Sequence, residues 1–166
     1  TEPAETEYKE PLECAPADHP SSIAVARWLF DSGSGKDLIS KEVYKESGKK
    51  AIKAQDKQTF NTAGGRRIVD KVINCWIKEF AASAYPYIMQ KGCPNVLSMG
   101  RRCNNTGPLA GQSFIWVNGH VPFSITHDGY AVQYSLFGDI PYLIPESERS
   151  RPRKLSQLSQ SGITVE

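Results

Sequence analysis

No run of 18 or more apolar residues occurs in the 166-residue chain, so no segment is suited to cross a bilayer as a helix. A strong charge of one sign is also missing. Twenty basic and 18 acidic residues leave +2, a balance that calls for neither a nucleic-acid nor a membrane partner. Cysteine is scarce: the four residues Cys14, Cys75, Cys93 and Cys103 are irregularly spaced. They read as free thiols of a reducing compartment. Cys93, Cys103, His120 and His127 form a weak zinc set, because no C-x-x-C or H-x-x-x-H pair brings two ligands together. No metal and no cofactor is expected. The first residues, Thr1-Glu2-Pro3-Ala4-Glu5, do not read as a secretory signal. The missing initiator Met suits a processed product or an excised piece of a longer chain. No internal repeat is evident.

What is present falls into three stretches. Residues 1–22 are acidic, carry Pro3, Pro11, Pro16 and Pro20, and show almost no apolar periodicity, as in a disordered arm. Residues 146–166, beginning "ESERSRPRKLSQ", are polar and basic and read as a tail. The folded part is therefore expected at 23–145, an ordinary length for one domain. Within it the pattern is mostly strand-like. An apolar run containing Trp28, Leu29 and Phe30 ends at Asp31 and suits a buried strand. Residues 42–52 make the best helix candidate, with Ser40 before them as a cap and Gly48 as a weakness. Strands are expected at 57–62 and 68–80, the latter long or bent, around a turn at Ala63-Gly64-Gly65. Further short strands fit 85–89, 114–117, 121–125, 130–136 and 140–144. Many short strands between Gly, Pro and Asn turns indicate an all-β barrel or sandwich.

The stretch "RWLFDSGSGKDLIS", residues 27–40, carries the chemistry. A phosphate-binding loop would need glycine at position 30 and Ser or Thr at 37, so that backbone amides hold phosphate and a hydroxyl holds magnesium. Phe30 and Asp37 stand there instead. A nucleophile elbow, G-x-S-x-G, fails as well, because Phe30 and Ser32 occupy the first glycine's place before Ser32 and Ser34. Aspartic-protease chemistry fits better. It needs an apolar strand to deliver a carboxylate, here Asp31, then a small hydroxyl residue, Ser32, and a glycine, Gly33, that turns the chain sharply.

This stretch resembles the active-site segment of retropepsin-like aspartic proteases, in particular those of copia-type retrotransposon polyproteins, where Trp and apolar residues precede Asp-Ser-Gly. Two further segments follow in the family's order. "TFNTAGG", residues 59–65, resembles the flap, a hairpin that closes over substrate. "CPNVLSMGRRC", residues 93–103, resembles the apolar-Leu-Ser-x-Gly element that packs beneath the active-site loop. The similarity spans about 23–145. Two departures stand out. Ser34-Gly35 occupies a place where Ala and a polar residue are commoner among retroviral-type members. Ser98-Met99 separates Val96-Leu97 from Gly100, so either Ser98 or Gly100 takes the place beneath the loop.

The resemblance implies a small closed all-β barrel of the retropepsin type with one short helix, acting as a homodimer. It implies an aspartic endopeptidase cleaving polypeptides, as in processing a Gag-Pol-type polyprotein, with the cytoplasm or the interior of virus-like particles as its compartment. Asp31, Ser32 and Gly33 would form the catalytic loop. Thr62, Ala63, Gly64 and Gly65 would form the flap, and Ser34, Leu97 and Gly100 would support the site. Because the D-[ST]-G motif occurs once in the chain, the second carboxylate must arrive on a second copy. Two carboxylates about 3 Å apart share one proton, which favours activity at mildly acidic pH. Two other readings use the same residues: a retropepsin-like dimerisation or peptide-binding module that does not cleave, and a zinc-binding domain adjoining an integrase.

Overall fold

The computed structural model describes residues 23–104, 109–144 and 153–154. The expected acidic arm at 1–22 lies outside them, as does the expected tail at 146–166 apart from two residues. In chain order the elements are β1 (Trp28–Asp31), β2 (Leu38–Ile39), α1 (Lys41–Ser47), β3 (Ile52–Thr62), β4 (Gly65–Val72) and β5 (Cys75–Ile77). A 3-10 turn (Lys78–Phe80) leads to β6 (Ala82–Ala84), β7 (Tyr87–Ile88), β8 (Val96–Ser98) and α2 (Met99–Cys103). The chain then runs through β9 (Ser113–Ile115), β10 (Phe123–Ile125), β11 (Tyr130–Gln133), β12 (Ser135–Phe137) and β13 (Ile140–Leu143). Last comes β14 (Arg153–Lys154), which pairs with β11.

The molecule is mostly β, as its composition of short apolar runs implies. The expected closed barrel is not formed among the described residues. An eight-stranded sheet runs β12-β13-β1-β8-β2-β7-β4-β3, beside a four-stranded sheet β14-β11-β10-β9 and the two-stranded β5-β6. Its edge strands, β12 and β3, do not pair with each other. Most of β3 is exposed and polar, and β12 is three residues long.

Local chemistry explains the other differences. Ser40 caps α1 by accepting the Val43 amide at 3.3 Å, as its position before the helix implies. The helix stops at Ser47 instead of reaching 52, because Gly48 adopts a left-handed conformation at φ 67° and closes the helix end. The chain thus returns to strand at Ile52. The stretch 68–80 divides into β4, β5 and the 3-10 turn, and the Ile73 amide bonds the Pro86 carbonyl at 3.2 Å where β4 ends. A second helix, α2, appears where one had been expected in all. It is five residues long, too short to show a helical period.

The core gathers around Phe30. Alternation along β1 buries Trp28 and Phe30 on one face and sends Leu29 and Asp31 to the other. Phe30 stacks on Tyr134 with ring centroids 4.6 Å apart and meets Phe114 at 5.5 Å and Phe80 at 6.3 Å. Residues 113–134 therefore supply a second layer that covers the strand carrying Asp31. The Tyr134 hydroxyl is satisfied inside this core by Ser124 Oγ at 2.5 Å, as a buried phenol requires.

Cys75 lies in the same core, 1 % exposed, and burial pushes its thiol from 9.0 up to about 12. At pH 8 its thiolate fraction is then about a thousandfold below that of an unburied thiol. Alkylation of native protein with iodoacetamide, read by peptide mapping, is expected to label exposed Cys103 and spare Cys75 until denaturant is added. Labelling of Cys75 at the rate of Cys103 in native protein would contradict this packing.

Candidate active site

Asp31 stands at the C-terminal end of β1. That strand is held on both sides: antiparallel to β13 through Trp28–Leu143, and parallel to β8 through Leu29–Val96, Phe30–Leu97 and Asp31–Ser98. The Leu29 amide also bonds the Asn95 carbonyl at 2.8 Å. The carboxylate is thus delivered by a strand fixed across its whole width, while the side chain itself stays half-exposed.

The chain turns immediately after it. The Gly33 amide donates to Asp31 Oδ1 at 2.7 Å, so the loop folds back on its own carboxylate as Asx-turns do. A Cβ at position 33 would stand 3.3 Å from that same oxygen, a close approach that glycine avoids. Ser32 and Gly33 are exposed. Ser34 Oγ donates to the Lys36 carbonyl at 2.6 Å, bracing the second half of the loop.

Beneath the loop lies an anchor that the sequence had not singled out. Asp37 is 0 % exposed and Arg102 is 2 % exposed. They form a two-pronged ion pair, Nη1 to Oδ1 at 2.6 Å and Nη2 to Oδ2 at 2.9 Å. Asp37 Oδ1 also accepts the Ser98 amide at 2.7 Å. Arg102 Nη1 donates in addition to the Ser98 carbonyl at 3.1 Å, and its guanidinium lies 5.6 Å over the Phe80 ring. Ser98 completes the junction. Its hydroxyl donates to the Ser34 carbonyl at 2.6 Å and accepts the Arg101 amide at 3.3 Å as the cap of α2.

Of the two candidates for the place beneath the loop, Ser98 therefore touches it. Gly100 sits within α2, and a Cβ added there would meet nothing within 4 Å. Leu97 is wholly buried and pairs with Phe30. Asp31, Ser32, Gly33, Ser34 and Leu97 thus belong to one neighbourhood. Thr62, Ala63, Gly64 and Gly65 do not: they form the tip of the β3–β4 hairpin, separated from β1 in sheet order by β8, β2 and β7. At that tip Thr62 pairs with Gly65, Thr62 Oγ1 donates to the Gly65 carbonyl at 2.8 Å, and Gly65 takes φ 111°. The tip is exposed and carries small side chains, apart from half-buried Thr62.

The zinc constellation is not assembled. Among the described residues no group of three or more His, Cys, Asp or Glu side chains comes together to hold a metal. Cys93 packs instead beside Tyr87 and Met89.

Searches against protein-family models, curated proteins and solved structures give no match to this chain.

Asp37 and Arg102 escaped the sequence reading for a physical reason. They are 65 residues apart, and each alone resembles an ordinary solvated charge. The available hint was Asp37 directly before the apolar pair Leu38-Ile39, together with Arg102 shortly after Val96-Leu97, two polar groups at the ends of buried strands. Removing one partner leaves the other charge buried without compensation, which costs about 3–5 kcal/mol. Arg102→Met and Asp37→Leu are each expected to lower stability by that order in urea titrations. The double variant Asp37→Leu/Arg102→Met should recover much of the loss. Additive losses in the double variant would mean that the pair is not coupled as drawn.

Proposed function

We propose that this chain is a retropepsin-like aspartic endopeptidase that works as a homodimer, with Asp31 of each copy meeting at the two-fold axis. The observation that carries this reading is the Asp31 loop itself. A carboxylate ends a strand buried on one face, the Gly33 amide bonds its Oδ1, and the turn that follows is tied down by Ser98 and Asp37. The small side chains of Ser32 and Gly33 leave room for a second such loop to approach backbone to backbone. One carboxylate per chain is half of the required pair, and two-fold symmetry supplies the rest.

In this reading the two Asp31 side chains share one proton. The ionised one takes a proton from a water as its oxygen attacks the scissile carbonyl carbon. The protonated one gives its proton to the carbonyl oxygen. The resulting gem-diol then collapses: the C–N bond breaks as the protonated Asp31 gives its proton to the leaving amine, and a gem-diol hydroxyl returns a proton to the ionised Asp31 as the new carboxyl group forms and departs. Gly33 N–H helps to fix the orientation of the carboxylate. Ser32 hydrogen-bonds across or beneath the dyad. The β3–β4 tip, Thr62 to Gly65, closes over the substrate backbone and excludes water. The substrate is polypeptide, with the chain's own polyprotein as the natural candidate inside a cell or a virus-like particle.

The test uses wild type and Asp31→Asn with a peptide library and a longer precursor. Wild type is expected to cut at mildly acidic pH, between about pH 4 and pH 7. Asp31→Asn should reduce kcat/KM by about 10²–10⁴-fold with its thermal unfolding unchanged. Sedimentation should show that the cutting species is a dimer. A dimer that cuts nothing in that range would favour the non-cleaving peptide-binding module. Cleavage by a monomer would end the shared-dyad mechanism.

A further inference from the structure

The proteolytic reading leaves the outer flank of β4 unused. β4 pairs with β3 from Gly65 to Val72 with one irregularity, but on its other side it meets β7 only at Val72–Tyr87. Among the described residues, 66–71 therefore offer an unpaired strand edge on that side, the kind of edge to which an extended peptide can add. Beside them runs a groove of about 740 Å³, lined among others by Lys41 and Tyr44 of α1, by Arg67, Ile68 and Lys71 of β4, and by Lys91. Neither the Asp31 loop nor the hairpin tip enters that lining. Four cations face one carboxylate there, Asp70, and Ile68 is 69 % exposed.

The sequence contains a segment matched to this groove. Residues 1–22 hold six carboxylates against one lysine. Their prolines cannot donate to a ladder, but Ala4–Glu10, "AETEYKE", is a proline-free run of seven residues. That is close to the length of the open edge. In an extended strand Glu5, Glu7 and Lys9 fall on one face and Thr6, Tyr8 and Glu10 on the other. Along β4, Arg67 and Lys71 fall on one face and Ile68 on the opposite one. Strands paired in one sheet share their faces, so Glu5 and Glu7 can meet Arg67 and Lys71 while Tyr8 meets Ile68. The twelve residues between Glu10 and Ile23 reach about 40 Å when extended.

We infer that Ala4–Glu10 of this chain docks as an added strand on the open edge of β4. Seated there, it straps the base of the β3–β4 hairpin to α1 and restrains the hairpin. The inference stands whether or not the protein cleaves peptides, and its test separates the two.

The test is hydrogen–deuterium exchange of the full chain carrying Asp31→Asn, so that self-cleavage cannot remove the segment. Amides of residues 66–71 are expected to exchange about tenfold slower in that protein than after Glu5→Lys and Glu7→Lys are added. Thr6→Pro, which leaves every charge in place, should cause the same loss of protection. Adding Arg67→Glu and Lys71→Glu to the lysine-bearing chain should restore it. Equal exchange in all of these proteins would overturn the inference and leave the lysines as guards of an unused edge. Loss with the lysine changes but not with Thr6→Pro would overturn strand addition. If a 12-nucleotide RNA protects these amides in the lysine-bearing chain better than a synthetic peptide of residues 1–22 does, the groove is a nucleic-acid surface and the inference fails.

Discussion

The Asp37–Arg102 ion pair joins two segments that lie 65 residues apart in sequence, and the Asp31 loop is held by them. One end of the loop is fixed because Asp31 closes β1. The other end is fixed because Asp37 is held by a guanidinium and by the Ser98 amide at once. Ser98 ties the middle through the Ser34 carbonyl. A buried ion pair of this kind adds little net stability compared with a well-packed apolar pair. What it supplies is position: both prongs of Arg102 must meet both oxygens of Asp37, so the loop has one place to be.

The same economy appears in the packing under β1. Phe30 faces the layer formed by Phe114 and Tyr134, and Leu97 lies beside it. Asp31 can therefore stand half-exposed on the opposite face without its strand being loose. Rigidity comes from one side of the strand and a carboxylate is presented on the other, an arrangement that period-two alternation makes available wherever a single strand is covered on one face.

Features whose cause is local were legible in the sequence. Trp28 to Gly33 announces a buried strand ending in a carboxylate and a tight turn, because apolar run, Asp and Gly are adjacent. Ser40 marks a helix start for the same reason. The strand–turn–strand pattern around Ala63-Gly64-Gly65 marks a hairpin. Features set by distant partners were not legible. Nothing near Asp37 names Arg102. The open edges of the large sheet depend on what β3 and β12 fail to meet. The five residues of α2 are too few to display a period, and the end of α1 turned on the backbone conformation of Gly48 rather than on its weak helix propensity. The pairing of Arg153 and Lys154 with β11 had no apolar alternation to announce it.

The parallel pairing of β1 with β8 has a consequence for time rather than shape. Parallel neighbours cannot be joined by a tight turn, and here the whole hairpin, α1 and the β5–β6 ribbon intervene between them. During synthesis Asp31 leaves the ribosome long before Ser98 and Arg102 do. Until they follow, the loop has neither its floor nor its far anchor, and contacts of such long sequence separation are among the slower ones to form. The chain therefore carries an order of assembly in which the Asp31 carboxylate is set in place only after most of the domain has been made.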